Sequence, residues 1–309
     1  MRALICALSL ASAAAVAALP AVDGDLRLRP FTSETFGNSR VLRVLLPSGY
    51  DAPANRNRRY PVLYLNDGQN LFDAATSTFT SREWRVDETV KELVAAGRIP
   101  PLIVVGVDHA GRRARFHEYF PYPDRFLQPP DPTPQGKRYP AFLVDEVMPF
   151  VERQYRADRI PAHRGLGGSS AGALAAIYAA VQRPGVFGRL LIESPSIYVD
   201  DAHILTDAAR VRAWPQRMAL GAGTGEGGQT TCDPNATPPS SEPDVVSDVR
   251  RFARLLGDAG VDAARIRLTV TPCATHDESA WAARLPDALT FLYAPERSAP
   301  PSGPPAPRR

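Results

Sequence analysis

The stretch 164-RGLGGSSAGALAAIYAAVQRP-184 sets two serines, Ser169 and Ser170, inside a run of glycine and alanine. A serine that attacks a carbonyl from the sharp turn between a strand and a helix needs glycine two residues before and two after it, because side chains there collide where the backbone doubles back. Centred on Ser170, the frame is Gly168-Ser169-Ser170-Ala171-Gly172, and both glycines are present. Centred on Ser169, the last position is Ala171. Ser170 is therefore the candidate nucleophile. The alanines at 171, 173, 175 and 176 suit a helix packed close under a sheet, with its N-terminal N–H groups and dipole turned toward a developing oxyanion.

A serine hydroxyl at its ordinary acidity is a weak nucleophile, so a base must serve it. Of the five histidines, His276 follows the strand-like run Ile266 to Thr271 and precedes a helical pattern, in 275-THDESAWAARLPDALTFL-292. That places an imidazole at the carboxyl edge of a sheet, where Ser170 also falls. His163 precedes its strand and belongs at the opposite edge, His203 sits in an unassigned segment, and His109 ends a strand too early in the chain for the usual order. The third group should be a carboxylate that orients the imidazole. Glu226, in 221-GAGTGEGGQTTCD-233, is the first carboxylate after the run Arg217 to Gly221 and is the favoured choice. Asp200, Asp201, Asp233 and Asp244 stay open as alternatives.

The elements that must position these groups alternate along the chain. Extended runs cover Val41 to Leu46, Pro61 to Asn66, Leu102 to Asp108, Arg164 to Ser169, Arg189 to Ser194, Arg217 to Gly221 and Ile266 to Thr271. Helical patterns cover Val86 to Gly97, Ala141 to Tyr155, Ala171 to Arg183, Val245 to Gly257 and Glu278 to Tyr293. This alternation predicts an α/β fold with a mostly parallel central sheet and helices on both faces. No internal boundary divides 25–294, so one domain is expected there. Residues 120–138, with six prolines, and 227–243 read as loops, and 295–309 as a disordered Pro-rich tail.

Residues 1–21 carry one cation, Arg2, then an apolar run to Leu19 and small residues near Ala21, the pattern of a signal peptide and too short for a stable membrane anchor. A periplasmic or secreted location follows, with no stable membrane insertion after cleavage. The remaining two cysteines, Cys232 and Cys273, are a disulfide candidate that would tie the Glu226 loop to the His276 loop. A formal net charge of +3, from 36 basic and 33 acidic residues with no dense basic block, gives no support to a nucleic-acid partner. No spacing of histidines and carboxylates forms a metal-ligand cluster, and no cofactor is expected.

The segments 60-YPVLYLNDGQNLFD-73, 102-LIVVGVDHAGRRARFHEYFP-121, 166-LGGSSAGALAAIYAAVQRPGVFGRLLIESPSIY-198, 221-GAGTGE-226 and 275-THDESAWAARLPDALTFL-292 resemble the putative esterase family. That family includes enterochelin esterases, feruloyl and acetyl xylan esterases, S-formylglutathione hydrolases and mycolyltransferases. The resemblance implies an α/β-hydrolase fold and cofactor-free hydrolysis of carboxylic esters by Ser170, His276 and Glu226. In such a site the oxyanion hole would use the N–H of Ala171 and, from the loop after Pro61 to Asn66, that of Gln69. Trp84, Tyr198 and Trp281 are candidate pocket walls, and Arg115 and Glu118 are expected to make structural ion pairs rather than touch substrate. The substrate would be a small-molecule or carbohydrate ester: siderophore, feruloyl, acetyl-carbohydrate or short-chain. An acyltransferase on the same triad and a non-catalytic binding protein of this fold are the alternative readings, and the oligomeric state is not legible from the sequence.

Overall fold

The structure is a computed structural model that describes residues 22–125, 127–226 and 244–295. The expected signal peptide, the segment holding Cys232 and Asp233, and the tail beyond residue 295 lie outside the described residues.

Eight strands form one sheet: β1 (Asp25–Ser33), β2 (Asn38–Leu46), β3 (Val62–Asn66), β4 (Ile103–Val107), β5 (Arg164–Ser169), β6 (Arg189–Glu193), β7 (Arg217–Gly223) and β8 (Ile266–Thr271), in the spatial order β1-β2-β4-β3-β5-β6-β7-β8. β1 and β2 form an antiparallel hairpin, β2 runs antiparallel to β4, and the remaining pairs are parallel. The central strands β3 (VLYLN) and β4 (IVVGV) are buried throughout, as strands covered on both faces must be. β1 did not stand out in the sequence because it is an edge strand, with Arg27 and Arg29 interleaved and Pro30 tolerated where no second neighbour needs its missing N–H.

The helices are α1 (Val86–Ala95), α2 (Arg112–Tyr119), α3 (Tyr139–Ala141), α4 (Met148–Gln154), α5 (Ala171–Gln182), α6 (His203–Ala208), α7 (Val245–Asp258) and α8 (Glu278–Tyr293). α1 and α8 cover one face through a core that includes Leu63, Leu65, Val90, Leu285 and Leu289. The other face is covered by a larger core in which α5 is central, buried from Ala171 to Val181 because its alanines let it lie close to the sheet. The helix expected from Ala141 to Tyr155 is observed from Tyr139 to Gln154, continuous in right-handed backbone, with a π-helical stretch Phe142–Val147 between α3 and α4. Pro149 supplies the reason, since its ring clashes with the carbonyl four residues earlier and it offers no N–H, so the backbone widens ahead of it.

In the parallel part of the sheet all carboxyl ends face one edge. The loops after β3, β5, β6, β7 and β8 converge there, which is where open α/β sheets place their sites.

Candidate active site

Ser170 is the single residue between β5 and α5, held at φ 54° and ψ −126°, a conformation unfavourable for a side chain with a Cβ. Its N–H donates to the Glu193 carbonyl at 3.0 Å, and its carbonyl accepts from the Ala173, Leu174 and Ser196 N–H groups, which fix the turn from both sides. The glycine at 172 is required by close approach: a Cβ there would lie 2.8 Å from Asp67 Oδ2. Ser169, by contrast, is a buried β5 residue in register with Glu193.

His276 follows β8 and sits just before α8, whose N-cap is Asp277. Its Nδ1 lies 2.9 Å from Glu226 Oε2, and the His276 side chain is 38% exposed while that of Glu226 is 1% exposed. The second carboxylate oxygen, Glu226 Oε1, accepts from the Gly223 N–H and from Ser194 Oγ, each at 2.6 Å. Ser194 in turn accepts from Trp281 Nε1 at 2.9 Å and lies 3.5 Å from Arg284 Nη2, and Arg284 is paired with the buried Glu193 at 2.7 Å. The Glu226 anion is thus solvated by fixed donors with one oxygen left to the imidazole.

The glycines of 221-GAGTGE-226 have a purpose visible only in three dimensions. The Gly225 N–H donates to the Ala274 carbonyl at 3.0 Å and the Thr224 N–H to the Thr271 carbonyl at 3.0 Å, so the acid loop is laced directly to the loop that carries His276. A Cβ on Gly223 would collide with the Ala274 carbonyl. Cys273 is exposed on that second loop, with its N–H donating to Thr224 Oγ1 at 2.9 Å; its expected partner Cys232 is outside the described residues.

The structure brings His276 and Glu226 together and sets Ser170 at the same sheet edge, but the Ser170 hydroxyl is not hydrogen-bonded to His276. Its neighbour is Ser196 Oγ at 3.4 Å. Catalytic hydrogen bonds often tighten only in the complex with substrate. The other carboxylates are engaged elsewhere: Asp200 with His203 at 3.2 Å, Asp201 with Arg125 at 3.1 Å, and Asp244 as the N-cap of α7, accepting from Ser247.

The loop after β3 forms a single 3₁₀ turn, Gly68–Asn70, preceded by Asp67 at φ 59°. The N–H groups of Gln69 and Ala171 have no acceptor among the described residues. This loop is anchored three ways. Asp67 takes a two-pronged bond from the buried Arg115 (2.7 and 2.8 Å), whose Nη2 also reaches the Ser169 carbonyl at 3.4 Å. Asn70 Nδ2 donates to Glu278 Oε1 at 3.1 Å, beside the His276 loop, and Asn66 Nδ2 donates to the Gly172 carbonyl at 2.7 Å. Glu118 pairs instead with Arg40 at 2.8 Å.

Two expected pocket walls are corrected. Trp84 is 2% exposed and packs at 5.6 Å on Trp281, within the core between α1 and α8. Trp281 is buried too, and its indole serves as the donor to Ser194 and as an edge-to-face support 5.4 Å from His276. Both rings are drawn inward because the α1–α8 face needs large apolar volume there. Tyr198 is half-buried, and burial raises its phenol above the ordinary range.

The supporting roles of Ser194, Asp67 and Ser196 were missed by sequence reading; the available signals were the unusual 193-ESPS-196 at a strand end and the 66-NDGQ-69 turn after β3. For Ser194→Ala we expect kcat to fall about ten- to hundredfold with KM nearly unchanged, the scale of a hydrogen bond to a charged group, about 1.5–3 kcal/mol. Steady-state kinetics check it, and a raised KM with unchanged kcat would place Ser194 in substrate binding instead.

His109, just past β4, is buried, and burial lowers its imidazole from 6.5 to about 4; Asp67 pulls it up, and Arg115 and Arg40 push it down. A folded imidazole that resists protonation binds fewer protons than the unfolded one between those values, so this contribution to stability is present above 6.5 and is lost as pH falls toward 4. His109→Asn should flatten that part of the pH dependence, measured as the difference between the two proteins' urea midpoints across the window.

A family model described as "Putative esterase" matches residues 33–292. YbbA of Bacillus subtilis is 22% identical over 271 residues, covering 86% of this chain and 97% of that protein. The siderophore enterobactin esterase of Emericella nidulans is 32% identical over 158 residues, 48% of this chain and 50% of its own length. The chain thus spans about half of that relative. Among solved structures, a ferulic acid esterase aligns with a TM-score of 0.65 at 18% identity, covering 88% of this chain and 99% of its own. The enterobactin esterase of Shigella flexneri aligns at 0.66 and 19%, covering 88% and 59%. At these identities the solved structures speak for the fold.

Proposed function

The chain belongs to the putative esterase family and is a carboxylic-ester hydrolase, and from that premise we propose that it works through Ser170, His276 and Glu226 by way of an acyl-enzyme. The observation that carries this reading is the 2.9 Å bond between His276 Nδ1 and a Glu226 carboxylate already held by two donors, at the sheet edge where Ser170 is forced into its strained turn.

With substrate bound, the Ser170 hydroxyl turns from Ser196 toward His276 Nε2, which takes its proton as Oγ bonds to the ester carbonyl carbon. Glu226 keeps Nδ1 protonated and stabilises the imidazolium. The tetrahedral oxyanion is met by the N–H groups of Ala171 and Gln69, both uncommitted among the described residues. Collapse breaks the bond to the alkoxy group, which leaves as an alcohol with the proton from His276. Water then repeats the sequence, and the acid is released with Ser170 restored.

The sequence pattern of residues 1–21 supports export, and so a periplasmic or secreted site of action. The Emericella relative and a Dickeya dadantii relative, 28% identical, bear the name enterobactin esterase, which puts trilactone siderophore esters ahead of feruloyl, acetyl-carbohydrate and simple short-chain esters. Assay of the mature protein on all four classes tests this ranking. Highest kcat/KM on the trilactone is expected, and a clear preference for any other class overturns the ranking without touching the triad.

A further inference from the structure

His109 stands outside the triad and its oxyanion donors, yet its imidazole is arranged as a donor waiting for an acceptor. The Gly111 N–H, which can only donate, lies 3.0 Å from His109 Nδ1, so Nδ1 is the unprotonated nitrogen of a neutral ring. The proton therefore sits on Nε2. That nitrogen is buried and has no hydrogen-bond partner among the described residues, in a residue only 5% exposed. A buried donor left unmet is costly, so its retention calls for an acceptor.

The position of the ring says which acceptor. The His109 backbone is clasped by the Gln69 side chain, its N–H donating to Gln69 Oε1 at 3.2 Å and its carbonyl accepting from Gln69 Nε2 at 3.4 Å. Phe79 lies against the imidazole at 5.9 Å and also stacks on the Arg115 guanidinium at 4.9 Å, and Arg115 touches the Ser169 carbonyl. The ring thus belongs to the wall beside the oxyanion loop. In the sheet order β4-β3-β5-β6-β7-β8, His276 comes from the far side of β5, and His109 from the near side at β4. The base must protonate the leaving alcohol, so the alcohol lies toward β8 and the acyl chain extends the other way, toward β4.

We propose that His109 is a specificity-determining residue whose Nε2–H donates to an acceptor oxygen on the acyl chain of the bound ester, so that the site favours acyl groups carrying an ether, hydroxyl or carbonyl oxygen near the ester over plain alkyl chains. This rests on the serine-esterase reading above. Two isosteric pairs of 4-nitrophenyl esters test it: methoxyacetate against butyrate, and 3-methoxypropionate against valerate. His109→Asn keeps an acceptor for the Gly111 N–H, as asparagine does in turns, and deletes the outer donor. His109→Gln instead places an amide nitrogen near Nε2. The ratio of kcat/KM for the oxygen-bearing ester to that for its alkyl partner, in at least one pair, should fall about tenfold in His109→Asn and recover in part in His109→Gln, the scale of one neutral hydrogen bond. Intrinsic reactivity cancels because each ratio is compared between proteins. Unchanged ratios in an active enzyme, as a bridging water on Nε2 would give, overturn the role of His109 alone. If the unmutated protein hydrolyses the trilactone but none of the four esters, this proposal is overturned and the serine-esterase reading stands; if it hydrolyses none of the five, the serine-esterase reading falls with it.

Discussion

Ser170→Ala is expected to lower kcat/KM on any accepted ester by on the order of 10⁴- to 10⁶-fold, the range for removal of a triad serine, while leaving the fold intact. The elbow geometry is the reason. Ser170 is held at φ 54° by bonds to Glu193 and Ser196 and by the helix that begins at Ala171, so no neighbouring hydroxyl can take its place without rebuilding the turn. Thermal stability should hold or rise slightly, because the variant has lost no buried partner beyond the long contact to Ser196. Ser196→Ala is the matched control. Its hydroxyl is 3.4 Å from that of Ser170, and if Ser196 were the attacking group its loss would be the larger one.

The second large effect is on stability and activity together. Arg115→Met leaves the Asp67 carboxylate buried without its cation, and breaking a buried ion pair from one side costs about 3–5 kcal/mol. In a chain of this size that should lower the melting temperature on the order of 10 °C. Because Asp67 begins the turn that presents Gln69, the folded fraction should also lose about a hundredfold in kcat, the scale of one misplaced oxyanion donor. Adding Asp67→Asn to Arg115→Met removes the unpaired charge and should restore much of the stability and little of the activity. Thermal melts and active-site-normalised kinetics on the three proteins check this. Activity recovering in step with stability would make the pair merely structural.

What the sequence made legible was the placement of the candidate residues next to strand ends. Gly168, Ser170 and Gly172 mark a turn that few other residue types permit, and His276 and Glu226 each follow a strand whose boundaries the hydrophobic pattern gives to within a residue or two. The supports were not legible, because they join residues far apart in the chain through side chains that have other ordinary uses. Arg115 meets Asp67 across 48 positions, and Trp281 meets Ser194 across 87. Trp84 and Trp281 read equally well as cleft walls or core rings, and only the packing of α1 on α8 decides for the core. α2, where Arg115 lies, escaped notice because RRARFHEY has little apolar periodicity, its burial coming from ion pairs.

In the proposed mechanism Ser170 is the residue that carries the acyl group. A fluorophosphonate ester should add one adduct per active chain with loss of activity. Fragmentation spectra that resolve Ser169 from Ser170 within their shared peptide, and Ser196 in its own, then locate the adduct. The adduct is expected on Ser170 alone; an adduct on Ser169 or Ser196 in the inactivated protein would overturn the assignment of the nucleophile.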